Sequence, residues 1–319
     1  MEVKTRQRSR VVEQRPTYWC LLNKAHWEYE DECRALEAGS PSPLSVEPLK
    51  LRASTSVSVG VAEAFGVVDP ILIQRAGTAS LCLDHFAHAI DDASDGLQGD
   101  AAIEQTHVGT LMLARAVRRY SAIDSTAAFW ESWQRYMDEA SAAERVLRSR
   151  RGSVTEYGSD DLALLGKKSA LIKTNAALFA AQSGQWSKLR DVESALELGA
   201  IGIQLIDDLL DWREDLEVRD YTYPLNLALR TVPQPRSAAI DKVLVEGGVV
   251  DEVVKLSRTY LERSARQFAA VGAAWLTSLL ITVTSDLNSY SEEVAAPGKH
   301  PKISRQKLLR KYIRPQLGH

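Results

Sequence analysis

Two short stretches carry most of the chemistry that this sequence offers. The first is Asp91-Asp92-Ala93-Ser94-Asp95 and the second is Asp207-Asp208-Leu209-Leu210-Asp211. Each follows a long apolar run. On a helix, residues i and i+4 share one face, so Asp91 and Asp95 are expected to point the same way, as are Asp207 and Asp211. Asp92 and Asp208 flank those faces. Like charges at that spacing repel, and partial burial beside Phe86, Ile90, Ile206, Leu210 and Trp212 makes ionised carboxylates costlier still. A hard divalent cation relieves both penalties. Mg²⁺ takes one or two carboxylates, several waters and substrate phosphate oxygens. Two such faces meeting across a cavity would hold a cluster of Mg²⁺ ions with a diphosphate between them. A solvated acidic helix face is the plainer alternative, and it weakens when the pattern occurs twice. No Gly-containing loop closed by a Glu follows either stretch, which sets aside an EF-hand.

Other reactive groups read as structural. His88 and Asp92 are i and i+4, but two histidines (His85, His88) with no third ligand favour a hydrogen bond on the helix face over a metal site. Gly166-Lys167-Lys168-Ser169 resembles the end of a phosphate loop but lacks its upstream glycine spacing and a preceding strand. Arg145, Arg148, Arg150 and Arg151 read as a solvated basic face, and Arg305, Lys307, Arg310, Lys311 and Arg314 as a second one.

The elements that must position the aspartates read as helices throughout. In 319 residues there are only 18 glycines and 11 prolines, few turn formers for such a length, and period-2 alternation is absent. Helices are expected over 17–38, 47–65, 71–95, 101–120, 124–150, 158–183, 188–216, 237–246, 249–272, 273–294 and 302–313, with 217–236 irregular. Asp69-Pro70 reads as the cap and first residue of the third of these. The expected fold is all-α: one domain over 17–319, a bundle of about ten or eleven helices around a central cavity. A mobile basic tail over 1–16 precedes it.

Composition bounds the partners. Hydrophobic residues make up 45% and charged residues 25%, and 39 basic against 42 acidic residues leave a net charge of −3. This excludes a disordered chain and argues against a nucleic-acid binder. No apolar run is long enough to span a membrane, and the N-terminal arginines precede no secretory apolar stretch. Three cysteines (Cys20, Cys33, Cys82) without a CxxC pair fit a reducing, cytoplasmic setting.

The aspartate stretches resemble those of the trans-prenyltransferases, the polyprenyl diphosphate synthases, a family that carries two aspartate-rich motifs on facing helices of an all-α bundle. Asp91–Asp95 is similar to the first motif, and Gln204-Leu205-Ile206-Asp207-Asp208-Leu209-Leu210-Asp211 to the second, with its leading Gln. Between them Lys173-Thr174-Asn175-Ala176-Ala177-Leu178-Phe179 resembles the family's Lys-Thr segment, whose lysine contacts the allylic diphosphate. Thr222-Tyr223-Pro224-Leu225 resembles the stretch after the second motif, and Pro48-Leu49-Lys50-Leu51-Arg52 is a degraded form of the basic motif that grips isopentenyl diphosphate. The resemblance spans roughly residues 47–230, in the family's order. It implies a Mg²⁺-dependent enzyme, with about three ions and the diphosphate, that ionises an allylic prenyl diphosphate and transfers the prenyl group to an acceptor.

By this resemblance Asp91, Asp92, Asp95, Asp207, Asp208 and Asp211 are metal ligands or their supports, and Asp91, Asp95, Asp207 and Lys173 carry the catalysis. Lys50, Arg52, Phe86, Lys173, Thr174, Gln204 and Arg219 line the substrates. Phe86, five residues before Asp91, is the bulky residue that favours short C10–C20 chains. Phe179 and Trp212 are further candidates to stabilise a cation with their rings. A homodimer is implied as well. Several phosphate-binding cations of the family are missing. Gly96-Leu97-Gln98-Gly99-Asp100 holds no arginine, the first basic-motif lysine falls on Leu49, and the lysine before Thr222 falls on Asp220, with Arg219 as substitute. The losses touch chiefly the second, isopentenyl, substrate. They leave open a class I terpene cyclase, for which Asp207, Asp211 and Asp215 have the i, i+4, i+8 spacing, and, less strongly, an inactive partner subunit.

Overall fold

In the computed structural model, the described residues are 23–31, 33–34, 48–95, 99–124, 126–232 and 237–295. The tail over 1–16, the helix expected over 302–313 and Cys20 lie outside them. Among the described residues there are thirteen α-helices and no strand. They are α1 (23–31), α2 (Pro48–Ala64), α3 (Pro70–Asp95), α4 (Asp100–Ser121), α5 (Ala127–Arg148), α6 (Ser159–Lys168), α7 (Thr174–Ser183), α8 (Leu189–Leu210), α9 (Trp212–Glu217), α10 (Tyr223–Leu229), α11 (Ser237–Glu246), α12 (Val249–Val271) and α13 (Ala274–Ala295). Short 3₁₀ turns at Ala170–Lys173 and Trp186–Lys188 precede α7 and α8.

The all-α expectation holds, and the helix borders follow local chemistry. The Asp69 carboxylate accepts the N–H groups of Ile71 (2.9 Å) and Leu72 (3.4 Å), with Pro70 as the first residue of α3. That is a side-chain N-cap of the expected kind. Gly184, at φ 68°, closes α7 in the left-handed conformation that glycine adopts without strain. Three borders differ from the expectation. The helix expected over 158–183 is interrupted by the 3₁₀ turn at Ala170–Lys173, and the one over 188–216 breaks at Asp211. Within the stretch expected to be irregular, Tyr223–Leu229 forms α10, with Pro224 in its first turn.

The chain divides into two compact units, each built from several stretches. The first comprises the described residues within 1–134, 171–192 and 269–276; the second comprises those within 135–170, 193–268 and 277–319. In the first unit α3 packs along α4 and against α2, and α2 also meets α7. Its core includes Val61, Phe65, Leu81, Leu83, Met112, Tyr120, Phe129 and Phe179, all within 2% of full burial. A buried polar chain crosses this core. Tyr120 donates to Asn175 Oδ1 (2.9 Å), and Asn175 Nδ2 donates to Ser58 Oγ (2.6 Å). Helix α1 is fastened to α3 by polar bonds: the Tyr29 hydroxyl meets His85 Nδ1 at 2.6 Å, and Thr78 donates to Glu28 at 3.0 Å.

In the second unit α8 lies close against α12. A Cβ on Gly202 would meet Leu261 Cγ at 2.7 Å and the Ser257 carbonyl oxygen at 3.0 Å, so no larger residue fits there unchanged. Two buried serines of α12 bond back to α8: Ser257 to the Gly202 carbonyl (2.7 Å) and Ser264 to the Ala195 carbonyl (2.6 Å). These bonds fix the half of α8 that leads into the second aspartate stretch.

Candidate active site

Both aspartate stretches lie where their helices end. Asp92 and Asp95 occupy the last turn of α3, with Asp91 just before it, and Asp207 and Asp208 the last turn of α8; neither turn holds a basic residue. The C-terminal end of a helix carries partial negative charge and favours cations, by roughly 0.3–1 kcal/mol per charge. Carboxylates gathered at two such ends are therefore misplaced for stability. The arrangement becomes favourable with positive charge brought to it.

In the first unit Asp91 is half-buried and Asp92 exposed, and Asp95 is the final residue of α3, its side chain outside the described set. Phe86 is half-buried one and a half turns earlier. His88 Nε2 lies 3.8 Å from Asp84 Oδ2, one turn back on α3. Lys173 closes the 3₁₀ turn and precedes α7; it is 3% exposed. Thr174, the first residue of α7, is 1% exposed, and its hydroxyl has no hydrogen-bond partner among the described residues. The first turn of α7 lacks a side-chain cap. A buried ammonium and an uncapped helix N-terminus are both suited to anions. Lys50 and Arg52 lie on α2, and their side chains are outside the described set.

In the second unit the aspartates form a denser acidic group than the sequence indicates. Asp208 is the most buried of them, at 6% exposed. Its Oδ1 accepts from Gln204 Nε2 at 2.7 Å, and its Oδ2 is buried without a hydrogen-bond partner. Burial pushes the Asp208 carboxyl up to about 7, the Gln204 amide opposes this, and the Asp207 charge reinforces it. Asp211 sits at the break between α8 and α9, still bonded through its N–H to the Asp207 carbonyl (2.9 Å). One turn on, Asp215 is pushed up to about 9 by burial and by the carboxylates of Asp208 and Asp220. Thr222 donates to Asp215 Oδ2 at 3.2 Å.

The bend that brings Asp220 back is a Schellman motif. The Asp220 N–H bonds the Asp215 carbonyl (2.8 Å) and the Arg219 N–H the Leu216 carbonyl (3.3 Å). Arg219 takes the left-handed position at φ 57°, and among the described residues no other non-glycine has positive φ. Its side chain is exposed.

The aspartates, Gln204 and Arg219 are expected from the sequence, but the residues bonded around them are not. Arg151, read as part of a solvated face, bonds Asp220 Oδ2 through Nε (3.2 Å) and Nη2 (3.1 Å). Arg148 pairs with Glu144 and Arg150 with Asp161. Tyr157, on the non-helical segment 153–158, donates to the Tyr221 carbonyl at 3.4 Å and meets the Tyr223 ring edge-on at 5.6 Å. Burial, and then the Asp208 and Asp220 charges, raise its hydroxyl's pKa. Asn226 was detectable in principle, as the one polar residue in Pro224-Leu225-Asn226-Leu227-Ala228-Leu229. Two expected cation-stabilising rings are core residues: Phe179 and Trp212 are fully buried, and the Arg213 guanidinium lies over the Trp212 ring at 4.3 Å.

The donors fit Mg²⁺ in type: carboxylate oxygens, one of them buried and unpartnered. Among the described residues no three His, Cys, Asp or Glu side chains form a closed ligand set. Mg²⁺ needs only one or two carboxylates when waters and phosphate oxygens complete its shell.

No protein-family model matches the sequence, and no curated protein does. Among solved structures, the chain is similar to the heptaprenyl diphosphate synthase from Staphylococcus aureus, with a TM-score of 0.64. The two chains share a fold. The match covers 84% of this chain and 98% of that one at 15% identity, so the chain has an isoprenyl diphosphate synthase-like fold. No helix among the described residues is long and apolar enough to cross a membrane.

Proposed function

We propose that this protein ionises an allylic prenyl diphosphate of C10–C20 length in the presence of Mg²⁺ and transfers the prenyl group to an acceptor. The observation that carries the reading is the placement of two aspartate groups at the cation-favouring ends of α3 and α8 on this fold, the second with a buried, unpartnered carboxylate oxygen. Asp91, Asp95, Asp207, Asp208 and Asp211 would hold Mg²⁺, with Asp92 beside them. Bound Mg²⁺ supplies the positive charge that a departing diphosphate requires. Lys173 adds a buried cation to the leaving group, the Thr174 hydroxyl and the first turn of α7 donate to its oxygens, and Arg219 contributes from the α9 bend. Gln204 holds Asp208 in place. Phe86 limits chain length. No protein nucleophile takes part; positioning and electrostatics lower the barrier.

The acceptor is isopentenyl diphosphate or a molecule without a diphosphate. A second reading, a terpene cyclase in which the substrate's own double bond is the acceptor, is favoured by Asp215, which joins the second acidic group at the i+8 position. One assay separates them. The protein is incubated with Mg²⁺ and C10, C15 or C20 allylic diphosphate, with and without isopentenyl diphosphate, and the products are identified. Longer diphosphates formed only with isopentenyl diphosphate support elongation. A hydrocarbon or alcohol formed without it supports cyclisation. Absence of diphosphate release from every substrate overturns both.

A further inference from the structure

The segment 153–158 is non-helical, yet it is bound tightly along the turn that follows the second acidic group. The ties run in sequence. Arg151 bonds Asp220, and the Gly152 N–H bonds the Arg219 carbonyl at 2.8 Å. The Thr155 N–H bonds Asn226 Oδ1 at 2.7 Å, and the Tyr157 hydroxyl bonds the Tyr221 carbonyl. Asn226 is the buried member of this set, at 3% exposed. Its other face donates through Nδ2 to the carbonyls of Tyr221 and Thr222. One amide thus satisfies a donor on the strap and two acceptors on the turn, all from backbone. Thr222 in turn donates to Asp215, and Tyr157 lies within electrostatic range of Asp208 and Asp220.

We propose that Asn226 is a positioning residue: it clasps the 153–158 strap to the Tyr221–Thr222 turn and thereby sets how tightly the second aspartate group holds Mg²⁺. The functional half of this rests on the reading of that group as a Mg²⁺–diphosphate site; the clasp itself does not. Outer partners that orient ligands typically change metal affinity about 10- to 100-fold when removed. Two substitutions divide the clasp. Asn226→Leu keeps the bulk and removes both halves. Asn226→Asp keeps the acceptor for the Thr155 N–H and removes the donors to the turn.

The test is hydrogen exchange of the full-length protein together with calorimetric titration of Mg²⁺ and inorganic pyrophosphate. In Asn226→Leu the 153–158 amides are expected to exchange roughly tenfold faster while α12 amides stay protected, and Mg²⁺–pyrophosphate affinity to fall about tenfold. In Asn226→Asp the Thr155 amide regains protection. A uniform rise in exchange across the second unit, or unchanged exchange at 153–158, overturns the clasp. Faster exchange at unchanged affinity overturns its link to the metal. If Asn226→Leu does not fold, Thr155→Pro removes the strap's donor from the other side and is read in the same way. Native protein that binds Mg²⁺–pyrophosphate without turning over any prenyl diphosphate overturns the proposed function and leaves this inference standing. Native protein that binds none overturns both the functional reading and the metal link.

Discussion

At the scale of single residues, the aspartates and a buried histidine make separable predictions. Groups that stabilise charge developing only in the transition state typically contribute about 10²–10³-fold to turnover. Asp91→Ala and Asp207→Ala are expected to lower diphosphate release by at least about that factor. Release at native rates in both variants would sink the assignment. His85 makes a prediction about pH. It is 3% exposed, bonded to the Tyr29 hydroxyl, and held down to about 4 by burial and by neighbouring His88. Its folded pKa lies below the unfolded value, so its contribution is fully present above about 6.5 and is lost as pH falls through about 4. The loss is on the order of 3 kcal/mol. Melting temperature should drop across that window in the native protein and drop less in His85→Gln; parallel curves for the two proteins would exclude His85 as the cause.

At the scale of elements, the bend after α9 and the contact between α8 and α12 are informative. Arg219 holds a left-handed backbone at φ 57° where glycine would be unstrained, at a cost of roughly 1–2 kcal/mol. Arg219→Gly is expected to raise the melting temperature and to weaken diphosphate binding at once. A variant that gains stability and keeps full affinity would remove Arg219 from the substrate site. Gly202→Ala should do the opposite to α8. Its Cβ meets Leu261 and a Ser257 carbonyl, so stability should fall by about 1–3 kcal/mol, measured by denaturant titration.

Helices with strong local signals were legible in the sequence: Asp69-Pro70 announces α3, and the apolar stretches of α8 and α12 announce themselves. The breaks at Ala170 and Asp211 were not, because no Gly or Pro marks either one and packing decides them. The aspartates were legible because their spacing is short-range. The pairings of Arg151 with Asp220 and of Asn226 with Thr155 were not, because the partners lie 69 and 71 residues apart.

At the scale of the molecule, some of the proposed residues belong to one compact unit and some to the other. The first unit holds Asp91, Asp95, Lys173 and Thr174; the second holds Asp207, Asp208, Asp211 and Arg219. A ligand that binds the folded chain and not the unfolded one stabilises it by mass action, by about 2.7 kcal/mol at a hundred times its dissociation constant. Mg²⁺ with pyrophosphate is expected to raise the melting temperature, and a chelator to reverse the shift. A melting temperature that does not move with Mg²⁺ and pyrophosphate would sink the proposed binding.

The chain passes between the units inside α5, the 3₁₀ turn before α7, α8, α12 and α13. Neither unit therefore corresponds to one uninterrupted stretch of coding sequence. Exchange of one uninterrupted stretch cannot carry either of them as a module, and a truncated transcript cannot encode one intact.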